Sequence, residues 1–213
     1  MRSPASGAAP GGRLEVAIAF VIATAGLGAS WASYQAGLWH GAQAIHYGRA
    51  GAEHTAGMRA ALEASSVRAT EIDLFSAWLN AHETGNERLA SLYEQRFPET
   101  LASAFHEWIA QHPFTKAAAA SSPFKLTSYR QPALAAAEAL DTRAERELAA
   151  GQDAIHKADA FMRAEAMLAM AMFFGGISQV FSGRARIGLA AMGAVVCGLG
   201  LFLMFSLPLR MLH

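Results

Sequence analysis

IGLAAMGAVVCGLGLFLMFSLPL, from Ile187 to Leu209, is the stretch that decides the fold class. It carries no charged side chain. A helix needs about 20 apolar residues to cross the hydrocarbon core of a bilayer, and this run supplies them. In that solvent every backbone N–H and C=O must be bonded internally, which a helix achieves and a lone strand does not.

Two further apolar runs stand earlier in the chain. Val16 to Ala32 has no charge and only Thr24 and Ser30 as polar breaks. Ala166 to Val180 is shorter, and reaches spanning length when Phe161 and Met162 extend it and Arg163 snorkels to the interface. The pattern predicts an all-α membrane protein with three transmembrane helices and an extramembrane helical bundle between the first and the second. The expected parts are a disordered tail over 1–12, spans over 13–36, 164–181 and 187–209, an extramembrane domain over 37–163 and a basic turn over 182–186. Two alternatives remain at this point. The first run, preceded by Arg2 and Arg13, also fits a secretory signal peptide, and the second fits a buried core helix.

Composition agrees with the membrane reading. Of 213 residues 53% are hydrophobic and only 16% charged, against about 25% charged in an ordinary soluble domain. The formal net charge is zero, so bulk charge points to no nucleic-acid partner. The expected partners are membrane lipid and another membrane protein or a second copy of this chain. The single cysteine, Cys197, leaves no disulfide within the chain and no cysteine-based zinc site. Short loops rich in Lys and Arg stay cytoplasmic. The turn Ser182-Gly183-Arg184-Ala185-Arg186 is such a loop, and the N-terminal tail carries Arg2 and Arg13 without an acid. The expected orientation therefore has the N-terminus cytoplasmic and residues 40–160 periplasmic or extracellular. Arg210 runs mildly against that orientation.

The first span continues as helix beyond the membrane, because no proline interrupts Ser33 to Ala64. A stripe of small residues, Gly26, Ser30, Ser33, Gly37, Gly41, Ala44, Gly48 and Gly51, recurs at steps of three or four and so shares one helix face. Such a face invites close approach of a second helix, and Gly26, Ser30, Ser33, Gly37, Gly41 and Gly48 are the expected packing residues. The expected partner is the helix that starts at Pro132. There Ala137, Ala144, Gly151 and Ala158 occupy one heptad position, and Leu134, Leu148, Ile155 and Met162 another, the pattern of a coiled-coil seam. Shorter helices are expected around Val67 to His82, Leu89 to Tyr93 and Leu101 to Ile109, with a break at Thr84-Gly85-Asn86.

Residues 111–131 lack helical period and hold His112-Pro113-Phe114 and Ser122-Pro123-Phe124. Phe114 and Phe124 are too apolar to leave in water, so they are expected to plug into the bundle as a clasp. Lys116, Lys125 and Arg130, with no acid in the segment, would then meet an acidic partner or lipid phosphates, or stay solvated. Trp31, Tyr34 and Trp39 fall where the first span leaves the bilayer, the depth at which aromatic side chains anchor. Gln35 and Gln43 could bond across helices there.

Trp31-Ala32-Ser33-Tyr34-Gln35 and Trp39-His40-Gly41-Ala42-Gln43-Ala44, with Trp78-Leu79-Asn80, Gly85-Asn86, Tyr93, Arg96-Phe97, Pro113-Phe114 and Ser122-Pro123-Phe124, form a set of motifs. The set resembles a group of hypothetical bacterial membrane proteins, from the first span to the hairpin. The resemblance implies this architecture and a bacterial inner-membrane home, and it implies no reaction. The layout of one span, a helical segment and a two-span hairpin is also similar to that of the family of unknown function called DUF4337.

No P-loop, dinucleotide-binding, zincin, nucleophile-elbow or calcium-loop motif is present. His46, Glu53 and His54 share a helix face at two-turn spacing, wider than the usual metal-binding pair, and are expected to be solvated or hydrogen-bonded. The spans hold no ionisable residue away from their edges, where Glu15, Arg163 and Glu165 lie, and intramembrane charge is the usual mark of an ion path. No catalytic, cofactor or metal residue is assigned. The favoured reading is a non-enzymatic integral membrane module, a scaffold, accessory or sensor-like protein whose helical extramembrane domain binds a partner. The alternatives are a subunit of an oligomeric channel or transporter, and a membrane enzyme whose site no motif marks.

Overall fold

The computed structural model describes residues 10–211, and the described residues contain helices and no strand. Of the tail expected over 1–12, residues 1–9 lie outside the described part. Helix α1 runs over Pro10–Glu83, α2 over Glu87–Glu94, α3 over Glu99–Ala110, α4 over Pro132–Ser178 and α5 over Gly183–Ser206, with a 3-10 turn at Pro123–Lys125. Three of these helices, α1, α4 and α5, are long and apolar enough to cross a membrane.

The separate helix expected from Val67 is instead the last part of α1, which is 74 residues long. No proline interrupts it after its first position, and Pro10 sits where a missing N–H costs nothing. α1 ends because Gly85 takes a left-handed φ of 74°, and the Asn86 N–H reaches back to the Ala81 carbonyl at 2.9 Å, a Schellman-type close. The Asn86 side chain then caps α2 by accepting from the Leu89 N–H. At the other end of the chain the basic turn is shorter than expected. Arg184 and Arg186 stand in the first turn of α5, and Gly183, at φ 65°, makes the reversal. α5 stops at Ser206, three residues short of the expected Leu209, because Pro208 forces Leu207 into extended backbone at φ −91° and ψ 148°.

The chain divides into two compact units, one made of the residues up to Gly48 with Glu147 onward, the other of Arg49–Arg146. The first unit has a core of small side chains filled by a few large ones. Ala25, Ala29, Ala32 and Ala36 of α1 and Ala164 and Ala171 of α4 are buried with Phe161, Leu168, Cys197 and Met204. Its tight glycines are not those of the expected stripe. A Cβ added at Gly28 would stand 3.0 Å from Leu168, one at Gly193 3.2 Å from the Ala171 carbonyl, and one at Gly200 3.0 Å from Leu168. At Gly151 it would collide with the Tyr47 ring.

Within this chain the stripe is largely vacant, which corrects the expected packing role. Gly26 comes near Met172, but Ser30, Ser33, Gly37, Gly41 and Gly48 are exposed or unfilled, and a Cβ at Gly37, Gly41 or Gly48 would meet nothing within 4 Å. The buried residues Ala25, Ala29, Ala32 and Ala36 precede that stripe by one position, a rotation of about 100° around the helix. Alanine allows nearly the same close approach as glycine and also buries a methyl group. The seam on α4 behaves alike. Its small strip, Gly151 and Ala158 in this unit, is buried, while Leu148 and Met162 of the large strip are exposed.

In the second unit the end of α1 packs against α3 through aromatic side chains. Phe75, Trp78, Phe97, Leu101, Phe105 and Trp108 form one buried cluster. Trp78 meets Phe105 edge-to-face at 4.6 Å between centroids, and Phe75 meets Trp108 at 5.3 Å. Each such pair adds about 0.5–1.5 kcal/mol beyond its buried area. Farther along α1 and α4, a Cβ at Gly57 would lie 2.9 Å from the Asp141 carboxylate.

The two kinds of glycine separate in a stability measurement in detergent. Gly28→Leu is expected to destabilise by about 1–3 kcal/mol through overpacking. Gly41→Ala is expected to stabilise by up to about 1 kcal/mol, because it removes a helical glycine without a clash. A destabilised Gly41→Ala would show that its face is filled by something the chain does not supply.

Candidate functional site

Residues 111–131 are irregular, but they are fastened at close intervals. The chain leaves α3 through His112, the one non-glycine residue with positive φ (53°) among the described residues. The Trp108 indole N–H donates to the Ala120 carbonyl at 2.6 Å, and the Ala120 N–H donates to the Gln111 side-chain oxygen at 3.1 Å. Both backbone groups of Ala120 are thus satisfied by the end of α3. Pro123 is buried, and Phe124 stands edge-to-face on Phe75 at 5.6 Å and on Tyr129 at 5.0 Å.

The strongest fastening is Glu71, a carboxylate with no exposed surface on α1. It accepts from Thr100 Oγ1 of α3 at 2.5 Å, from the Tyr129 hydroxyl, and from Gln131 Nε2 at 3.5 Å. Gln131 also donates to the Tyr129 oxygen at 2.9 Å. A buried charge is tolerated only when its lone pairs are satisfied, and a hydrogen bond to a charged group contributes about 1.5–3 kcal/mol. Glu71 therefore ties α1, α3 and the far end of the irregular segment to one point. Burial, and after it the bonded Glu71 carboxylate, push the Tyr129 phenol well above the ordinary tyrosine range.

What the segment presents outward follows from these ties. Lys116, Lys125 and Arg130 are exposed. The two phenylalanines differ: Phe124 packs into the aromatic cluster, whereas Phe114 is 50% exposed and leans on the rings of His82 and Trp108 at 5.2 and 5.7 Å. The expected plug at Phe114 is thus corrected to a half-exposed rim position, because Pro113 and the left-handed His112 turn the chain along the cluster instead of into it. Phe114, Trp108, Phe75, Leu79 and Lys116 border a cleft of about 350 Å³.

In the first unit the sequence-marked aromatic and amide residues take separate roles. Trp31 and Tyr34 are exposed and lie 5.7 Å apart. Trp39 is half-buried and donates its indole N–H to the Pro208 carbonyl at 3.3 Å. Lys157 and Arg210 lie over its ring, 4.6 and 5.2 Å from the centroid. Gln35, 2% exposed, bonds both backbone groups of Arg210, accepting from its N–H at 2.9 Å and donating to its carbonyl at 3.3 Å.

His46 pairs with Glu147 at 2.7 Å in the first unit, and His54 with Asp141 at 3.3 Å in the second. Among the described residues no three His, Cys, Asp or Glu side chains come together as metal ligands would. No family model, curated protein or solved structure matches the chain.

Glu71 was not marked by any sequence motif. A signal exists nonetheless: it lies four and seven residues before Phe75 and Trp78, on the apolar face of the helix, where a carboxylate needs a reason. Its partners Thr100, Tyr129 and Gln131 could not be named, because they come from other segments.

Two predictions concern this anchor. Glu71→Ala leaves the half-buried Thr100 and Tyr129 hydroxyls without their acceptor, and is expected to cost about 1–3 kcal/mol. The readout is trypsin cleavage after Lys125, slow in the wild type and fast in the variant. Cleavage equally fast in both would show that the segment is free. The second is a pH effect. A phenol whose folded value is raised binds its proton more tightly folded than unfolded, so its contribution is complete below the unfolded tyrosine value and declines as pH rises past it. Wild-type thermal stability should therefore fall more steeply between about pH 9 and 11 than that of Tyr129→Phe. Parallel curves would contradict the assignment.

Proposed function

We propose that this chain is a non-enzymatic, multi-pass module of the bacterial inner membrane, and that the Arg49–Arg146 unit is its partner-binding head. The observation that carries the reading is the fastened 111–131 segment. Irregular segments of this length inside compact domains tend to be functional or disordered, and this one is tied down by Glu71, Trp108, Pro123 and Phe124. Ordering a loop costs about 1–2 kcal/mol per residue in backbone entropy. Spending that on a surface with an exposed phenylalanine and three cations fits recognition, where a rigid aromatic anchor and complementary charge give affinity and specificity. The matching partner surface is acidic, with an apolar side chain for the cleft beside Phe114.

The membrane part of the proposal rests on α1, α4 and α5. Arg186 of α5 pairs with Glu15 of α1 at 3.3 Å, which puts the basic turn and the start of α1 at one end of their unit. Arg13, Arg184 and Arg186 then share a side, and the positive-inside bias makes that side cytoplasmic. This supports a cytoplasmic N-terminus, with residues 40–160 periplasmic or extracellular. The resemblance to hypothetical bacterial membrane proteins agrees with it.

The test is photo-cross-linking in cells of the native host, with a photoreactive residue at 116, at 125 or at the control position 143. Expected are adducts with one protein at 116 and 125, weak at 143, and suppressed when Arg130→Glu is added. Adducts no stronger at 116 and 125 than at 143 would overturn the proposal.

A further inference from the structure

We propose that the first unit holds an anionic phospholipid headgroup in a groove between α1 and the segment after α5. The groove has a volume of about 470 Å³ and is lined by Gly37, Leu38, Gly41 and Ile45 on one side and by Leu209 and Arg210 on the other. This inference rests on the membrane-spanning reading of α5.

Three observations lead to that occupant. The first is charge. Among the described residues, Arg210 is the one charged residue of the groove lining, and no Asp or Glu belongs to it. Among the described residues the Arg210 guanidinium has no acid partner, since the ion pairs involve other cations. Lys157 stands over the same indole, on Trp39, and adds a second positive group whose counter-ion is Asp153. The second is construction. The nearly buried Gln35 spends both ends of its amide on the Arg210 backbone, and Trp39 holds Pro208 and the guanidinium. Three contacts on Arg210 and one on Pro208 thus fix the arginine beside the groove. Guanidinium matches a phosphate oxygen pair in a bidentate manner, which makes arginine the preferred residue for that group.

The third is place. Arg210 follows the end of the spanning helix α5 by four residues, beside α1 where Trp31, Tyr34 and Trp39 mark interfacial depth. Phosphates are abundant at that depth. Leu38, Ile45 and Leu209 give the groove an apolar margin suited to the glycerol end of a lipid, and Gly37 and Gly41 leave room for it to approach the helix backbone. The site also accounts for a cation on the face that the positive-inside bias would leave poor in charge.

Native mass spectrometry of the full chain, released from nanodiscs containing phosphatidylcholine and phosphatidylglycerol, tests the proposal. The wild type should retain one phosphatidylglycerol with a preference of about tenfold over phosphatidylcholine, the scale of one charge-assisted contact. Arg210→Gln should lower that preference to near unity, and Arg210→Lys should recover part of it. Gly41→Leu, which fills the groove and leaves the arginine in place, should lower it as well. Arg184→Gln, outside the groove, should leave it unchanged. Equal retention of the two lipids by the wild type, or an unaltered preference in Arg210→Gln, overturns the site while leaving the membrane reading intact. Inorganic phosphate displacing the lipid at millimolar concentration would show a small-anion site and overturn the lipid. A chain that stays in solution without lipid or detergent overturns the membrane reading and this proposal together.

Discussion

Close approach of helix backbones is the constraint on which the first unit depends. Lipid offers no hydrophobic drive for helices to associate, so packing contact has to provide it. The chain meets this with alanine and glycine at the facing positions. Ala25, Ala29, Ala32 and Ala36 on α1 face a core with Ala164 and Ala171 of α4, and Phe161 and Leu168 fill the remaining space. α5 comes close enough that Gly193 faces the backbone of Ala171 and Gly175. Large side chains on the same helices point away, as Leu27, Phe173, Phe202 and Phe205 do with most of their surface exposed. On a soluble protein such a surface would aggregate, whereas against acyl chains it would match its surroundings.

The second unit solves a different problem. It is held by aromatic side chains, and its buried cluster, which includes Phe75, Trp78, Phe105 and Trp108, takes Ala120, Phe124 and Leu126 of the irregular segment against it. Polar contacts with directional demands add to that burial. Trp108 fixes Ala120, and Glu71 fixes Tyr129 and Gln131. Placing a carboxylate in a buried position raises the penalty for every misfolded arrangement of its donors. The outcome is one defined conformation for a segment whose outward side chains are Phe114, Lys116, Lys125 and Arg130. Rigidity beneath and charge above is the combination that partner recognition uses, and it links the sequence of this segment to the proposed role of the head.

Gln35 and Trp39 show how the same residue types serve different ends by position. In the sequence both belong to an aromatic and amide belt near the end of a span. In the fold Trp31 and Tyr34 remain exposed, while Gln35 and Trp39 turn inward to hold Pro208 and Arg210. The difference is one of helical angle. Gln35 lies one residue from Tyr34, about 100° round the helix, on the side that carries Ala32 and Ala36.

Much of this was legible from the residues alone, for a local reason. The three long apolar runs, the helix stop at Thr84-Gly85-Asn86, the start of α4 at Pro132 and the irregular stretch before it depend on hydropathy, period and backbone sterics, which neighbours in sequence settle. That small residues would line the close contacts was legible too, but the wrong set stood out. A glycine stripe is conspicuous, whereas the buried face one position earlier is made of alanines in a chain rich in alanine. Which of two adjacent faces is buried depends on where the other helices lie, and no spacing within α1 encodes that. The same limit applies to Glu71, to Gln35 and to the different fates of Phe114 and Phe124. Each is decided by groups contributed from distant segments, so the sequence by itself determined the helices and their apolar character, and only the tertiary structure decided which faces meet, because a contact belongs to two segments and a local pattern describes one.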